Sequence, residues 1–261
     1  MKARTAVMAA TTAALCLAAV SCGPSGGDSS HGKDNGRASS PSSAKPSGKD
    51  TSSPPPPPPP SPGTLPAGTG KVLTEAELTE AALATGDVAD YEVTPLQGSQ
   101  DTGTEKAESR ACRPLAAVIN GAPEPAATAT VFRTVMDKSE EGRDDRTVVT
   151  EILTSHPKGA AQQVLRDVRD AVQACAGGFR TSSDEGPSTY SKVDLLDAPR
   201  VGEESIAYQV TGNIEGDKVP LVFQLVRRGS TVVTFYVADF VDATPPELPA
   251  EVVTAQLAKL P

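Results

Sequence analysis

The 261-residue sequence contains no tryptophan, four tyrosines, five phenylalanines and two histidines. So small an aromatic content excludes a broad stacking platform for sugars or bases. Basic residues are also scarce, at 24 Lys and Arg against 33 Asp and Glu. Six of the bases and three of the acids precede residue 71, leaving 18 bases and 30 acids, net -12, in the remainder. Such a field repels nucleic acid. The nearest basic pairs, Arg227 with Arg228 and Arg166 with Arg169, read as solvated surface. There is no HExxH, GxSxG, Walker loop or GxGxxG, so the simplest warrants for metalloprotease, serine hydrolase, nucleotide and dinucleotide chemistry are missing. No cofactor is expected.

What is present begins with an export pattern. Lys2 and Arg4 precede 17 residues rich in alanine, which end in Leu17-Ala18-Ala19-Val20-Ser21-Cys22-Gly23. Small residues immediately before a cysteine resemble the lipobox of bacterial lipoproteins. The resemblance implies removal of residues 1–21, acylation of Cys22 and attachment to the outer face of the cell membrane. More than one acyl chain makes that attachment durable. The other readings are an ordinary signal peptide and a short span with an incidental cysteine, although 17 residues lie at the bottom of the spanning range.

Residues 22–70 read as a disordered Ser/Gly/Pro tether, with Pro54–Pro60 as an unbroken run. Proline fixes φ and lacks an N–H, so the run predicts a polyproline II rod roughly 20 Å long at about 3.1 Å per residue. A spacer reaching into the cell wall is the leading reading, and a docking site for an SH3-like partner the sharper one. Ser42 and Lys45 have the Ser-x-x-Lys spacing of a β-lactamase nucleophile, but without partner motifs the match is chance. Of four cysteines, Cys16 leaves with the signal and Cys22 takes lipid, so Cys112 and Cys175 remain. In an oxidising compartment they fit one disulfide, the alternative being two buried thiols. Neither lies in a CxxC redox arrangement.

Residues 71–261 carry all nine aromatic side chains and suffice for one domain. Thr74 and Glu77 have capping-box spacing, predicting a helix over 75–85 that stops at Gly86. A short strand is expected at 91–94 and a short helix from Cys112 to Ile119, ended by Asn120-Gly121. Strands follow at 128–136 and 147–154. A helix over 160–175 places Val164, Val168, Ala171, Val172 and Cys175 on one face. Strands at 190–196, 205–212, 219–227 and 231–238 precede a final helix at 248–260. Consecutive late strands without intervening helices argue against a doubly wound parallel sheet. The expected fold class is α+β, a curved, mostly antiparallel sheet with helices on one face and one disulfide.

Candidate chemistry is sparse. His156, the only histidine after the tether, reads as a solvated or locally hydrogen-bonded loop residue. One histidine and two bridged cysteines cannot build a Cys/His zinc site. Glu140, Glu141, Asp144 and Asp145 crowd a loop without EF-hand spacing, so no metal is expected. Glu203 with Glu204, and Asp194 with Asp197, are the carboxylate pairs a hydrolase would use across a cleft. Phe132, Tyr208, Phe223, Phe235, Tyr236 and Phe240 read as core rather than pocket. No catalytic residue is assigned, and no ligand-binding residue is named.

Ala111-Cys112-Arg113-Pro114-Leu115, Val172-Gln173-Ala174-Cys175, the cysteine spacing of 63 and the strands Val222–Val226 and Val232–Tyr236 together resemble the PknH-like extracellular sensor domains of actinobacteria. The resemblance covers roughly residues 72–258. It implies a curved antiparallel sheet backed by helices and a cleft for a small ligand. Family members carry two disulfides, whereas this chain has cysteines for one. The implied function is a surface-anchored lipoprotein that binds or senses an envelope molecule, small and hydrophobic or wall-derived, without catalysis. The alternatives are a structural or protein-interaction module contacting another envelope protein, and a carboxylate-dependent hydrolase. No kinase domain is present, so signalling would need a separate partner.

Overall fold

A computed structural model describes residues 70–96, 103–140, 148–214, 216–238 and 244–261. Signal, tether and Cys22 lie outside the described residues, as do Glu141, Asp144, Asp145 and Phe240.

The chain enters at Gly70, packed against Gly229; a Cβ on either glycine would collide with the other's backbone. Ser230 Oγ donates to Gly70 O at 2.7 Å, and Leu73 N–H to Ser155 Oγ at 2.8 Å. Helix α1, Glu75–Ala81, opens with the expected capping box: Glu77 N–H donates to Thr74 Oγ1, and Thr74 N–H to the Glu77 carboxylate. It ends at Ala81 instead of running to 85. Past that point a tertiary bond and a local one capture the backbone, with Arg133 Nε donating to Leu83 O and Ala84 N–H to Asp87 Oδ2.

Nine strands form one antiparallel sheet: β1 Tyr91–Pro95, β2 Lys106–Ala107, β3 Ala129–Asp137, β4 Val148–Ser155, β5 Phe179–Ser183, β6 Gly186–Leu196, β7 Glu204–Ile214, β8 Asp217–Arg228 and β9 Thr231–Ala238. Their spatial order is β1-β3-β4-β9-β8-β7-β6-β5-β2. The remaining helices are α2, Arg113–Ile119, α3, Ala160–Ala174, and α4, Ala250–Lys259. A 3-10 turn, Arg110–Cys112, leads into α2.

The α+β class and antiparallel sheet match expectation, but helices cover both faces rather than one. Every residue from Val219 to Arg227 is buried, and side chains alternate across a strand. Leu221, Phe223, Leu225 and Val232 pack with α2 and α3. Val222, Val226, Val233, Phe235 and Val237 pack with α1 and α4 on the other face. The near-continuous apolar run in β8 is the signature of such two-sided burial.

Strands β2 and β5 escape the sequence reading. The buried inward positions of β5 are Phe179 and Thr181, so an apolar alternation never develops. Its hairpin partner β6 begins at Gly186, four residues before the expected strand.

Candidate functional site

Along one sheet edge, the segment 103–107 forms a strap between α2 and the β5–β6 hairpin. Proline at the start of α2 suits a first turn whose N–H groups have no helical partner. The disulfide Cys112–Cys175, Cα–Cα 5.9 Å, fixes that end of α2 to the C-cap of α3. At its other end Asn120 does more than stop the helix. Its Oδ1 accepts from Glu105 N–H at 3.1 Å, its Nδ2 donates to Glu105 O at 2.8 Å, and its backbone carbonyl accepts from Gly103 N–H at 3.1 Å. These bonds extend the short β2 ladder, in which Lys106 faces Ser182 and Ala107 faces Thr181.

The Glu105 carboxylate clasps the neighbouring hairpin. It accepts from Tyr190 Oη at 2.6 Å, Ser188 Oγ at 2.7 Å and Thr181 Oγ1 at 3.2 Å. Burial, then the bond to Glu105, pushes the Tyr190 phenol far above its ordinary range, so it remains a donor. Phe179 stacks on Tyr190 with ring centroids 4.7 Å apart, completing the support.

Between strap and α2 lies an open cleft of about 410 Å³. Ala107, Ala116, Ala117 and Ala122 leave it wide, and Glu105, Lys106, Arg113, Asn120 and Glu124 make it polar. A second cleft of about 310 Å³, bounded by Ser182, Ser183 and Asp184, shares Thr104 and Lys106 with the first. Among the described residues neither Lys106 nor Arg113 forms an ion pair. Both are exposed.

The cleft lies far from the point where the chain enters. Tyr190 pairs with Gly212, and Gly212 with Val219, whereas Gly70 packs beside the turn after Arg228. From Val219 to Arg228 the strand runs roughly 30 Å at about 3.3 Å per residue.

Residues suggested by sequence serve elsewhere. His156 is buried, not solvated; its Nε2 lies 2.9 Å from Thr154 Oγ1, and burial lowers its pKa, favouring the neutral ring. Arg227 is likewise buried, with a side chain 4% exposed, and binds both Glu203 and Glu204. Arg169 reaches Glu204 at 3.1 Å, and Gly229 N–H donates to Glu203. Burial opposes ionisation of Glu203, but that amide and Arg227 outweigh it and hold the carboxyl below its usual range. The pair therefore braces the β7–β8–β9 end of the sheet. Arg228 donates to Leu257 O and Pro261 O, and Arg166 to Gln163. Asp194 pairs with Lys192 at 2.7 Å, and Asp197 lies exposed beyond β6.

Tyr208, Phe223 and Tyr236 stack across three strands at 5.3 and 4.9 Å, and Phe235 fills the opposite face, as core. Phe132 is half-buried. Among the described residues no group of three or more His, Cys, Asp or Glu is placed to hold a metal ion. Glu140, the described acid of the crowded loop, is exposed.

Sequence reasoning missed the strap. Arg113 stood beside a cysteine and Asn120 at a helix stop, but two residues of β2 make no periodic signal. The three hydroxyl partners of Glu105 are 76 to 85 positions away.

No family model matches the chain, and no curated protein matches it. Among solved structures, the extracellular domain of PknH from Mycobacterium tuberculosis resembles it distantly, with a TM-score of 0.47 and 12% identity, over 72% of this chain and 95% of that one.

Proposed function

We propose that this protein is an exported, non-catalytic binding or sensing domain, residues 71–261. It is held on the outer face of the cell membrane by acylated Cys22 and a proline-rich spacer. The observation that carries the binding reading is the cleft beside the strap, with two exposed cations that form no ion pair among the described residues and a wall stapled by the disulfide. Its distance from Gly70 suits a site presented away from the anchor. Of the two ligand classes, wall-derived and small hydrophobic, the lining favours the polar one. Lys106 and Arg113 offer donors to an anionic or carbonyl group, Glu124 accepts, and the alanines leave room for a small body. A hydrolytic reading has less support, because Glu203 and Glu204 are engaged with arginines and His156 is sealed in the interior.

Full-length protein extracted from membranes should carry a diacyl mass on Cys22, lost in Cys22→Ala together with membrane association. Native mass spectrometry of that protein, incubated with polar and lipid fractions of a bacterial envelope, should show an adduct from the polar fraction. Ala117→Trp, which fills the cleft, should abolish it. No adduct from any fraction, or an adduct indifferent to Ala117→Trp, refutes the assignment of this cleft.

A further inference from the structure

Glu151, in the middle of β4, is 0% exposed, and neither carboxyl oxygen has a hydrogen-bond partner among the described residues. A strand open to solvent on one side would leave this glutamate in water. Here α1 and α4 cover that face. Arg133 stands directly across the ladder on β3 but does not pair with it. Its guanidinium donates instead to Leu83 O, Thr79 O and Phe132 O. The other charges that act on Glu151 are Lys259 on α4 and Asp87 after α1, which bind each other.

A buried, unpaired carboxylate is among the most costly groups a fold can hold, and neutralisation removes that cost. A second buried acceptor lacks a donor in the same layer: Gln256 Oε1 on α4, whose residue is also 0% exposed. The Gln256 amide donates to Ala81 O at 2.8 Å. The Leu83 amide lies close enough to Glu151 to favour its anion, but not in a geometry that satisfies either oxygen. Three side chains from three elements, Gln256, Arg133 and Glu151, therefore converge on Ala81–Leu83, where α1 leaves its helix.

We propose that Glu151 is held as the neutral acid and shares its proton with Gln256 Oε1, directly or through one water, as a latch closing α1 and α4 onto the sheet. Ionisation opens the latch, because an anion there would face an acceptor and an arginine already engaged with carbonyls. The layer released is the one that follows Gly70, so loss of the proton would loosen the domain beside its tether. Burial raises the carboxyl pKa to about 8, against partial opposition from the Leu83 amide, Arg133 and Lys259, while Asp87 adds to the rise. The opening thus falls on the alkaline side of neutrality.

The test uses full-length protein. Infrared difference spectra between wild type and Glu151→Gln at pH 7 should show the carbonyl band of a protonated carboxylic acid in wild type alone. Hydrogen exchange from pH 6 to 9, corrected for intrinsic rates, should show amides of α1 and α4 opening at least tenfold more at pH 9 while β8 amides change little. Glu151→Gln should flatten that rise. Absence of the acid band at pH 7, or an equal rise in variant and wild type, overturns the proposal. Should the variant fail to fold, a wild-type rise shared equally by β8 does so too.

Discussion

Reduction of the Cys112–Cys175 disulfide tests both the stability of the domain and the integrity of the cleft wall. The bridge closes a loop over a sequence separation of 63. In the chain-entropy model it raises the free energy of the unfolded state by about 4 kcal/mol. Reduction preserves both sulfur atoms, on residues that are 3% and 2% exposed, so the core keeps its volume and the entropic effect is isolated. Denaturant titration of full-length protein with and without anaerobic reductant should show a loss of about 3–5 kcal/mol. The melting temperature should fall by roughly 6–20 °C, at about 2–4 °C per kcal/mol for a domain of this size. Cys112→Ala with Cys175→Ala should lose somewhat more, since small cavities are added. The loss of order should be local first. Hydrogen exchange of β8 and β9 should rise only by that global loss, whereas in α2 and the strap 103–107 local opening should add to it, because the bridge alone ties the start of α2 to α3 covalently. A stability change below about 1 kcal/mol, or α2 and the strap remaining as protected from local opening as in the oxidised protein, would refute the reasoning.

Arg227→Ala should cost about 2–4 kcal/mol in chemical denaturation, because Glu204, 12% exposed, loses one of its two arginines; Glu203, half-exposed, is partly rehydrated. Gly178→Ala should cost about 2 kcal/mol or more, since φ is +91° there and the new Cβ would collide with Tyr190 O; an unchanged melting temperature would contradict this. The Glu151 carboxyl, raised from 4.5 to about 8 in the fold, binds a proton that the unfolded chain has released between those values. Its contribution to closing α1 and α4 onto the sheet is fully present below pH 4.5 and is lost as pH rises to about 8, with a slope of about 1.4 kcal/mol per pH unit in the free energy of opening that layer, which Glu151→Gln should remove.

Much of the architecture was legible because local chemistry and burial agree. The Thr74–Glu77 capping box, the stripe from Val164 to Cys175 and the hairpin around Arg228-Gly229-Ser230 all carry period or cap signals that tertiary contacts reinforce. Where packing supplies the reason, the signal vanished. α1 stops at Ala81 because Arg133, 50 residues on, captures Leu83 O. β5 hides because its inward Thr181 is satisfied by Glu105 rather than by apolar neighbours. Glu151 and Arg227 look like surface charges in sequence; Glu151 is buried because β9, paired to it at Phe235, and helices α1 and α4 close over it, and Arg227 because it lies between its ladder partners Glu204 and Val232 and is bound by Glu203 and Glu204.

The sequence by itself determined the class and the positions of the principal strands and helices, and left Cys112 and Cys175 as the candidate pair, since these follow from periodicity, capping and cysteine count; the structure joins that pair. Tertiary structure decided which charges are buried, that both sheet faces are covered, and that Glu105, Arg113 and Asn120 frame one cleft. The physical reason is that periodicity records whether a residue is half-covered, whereas its partner across the sheet depends on register and topology, set by the whole chain at once.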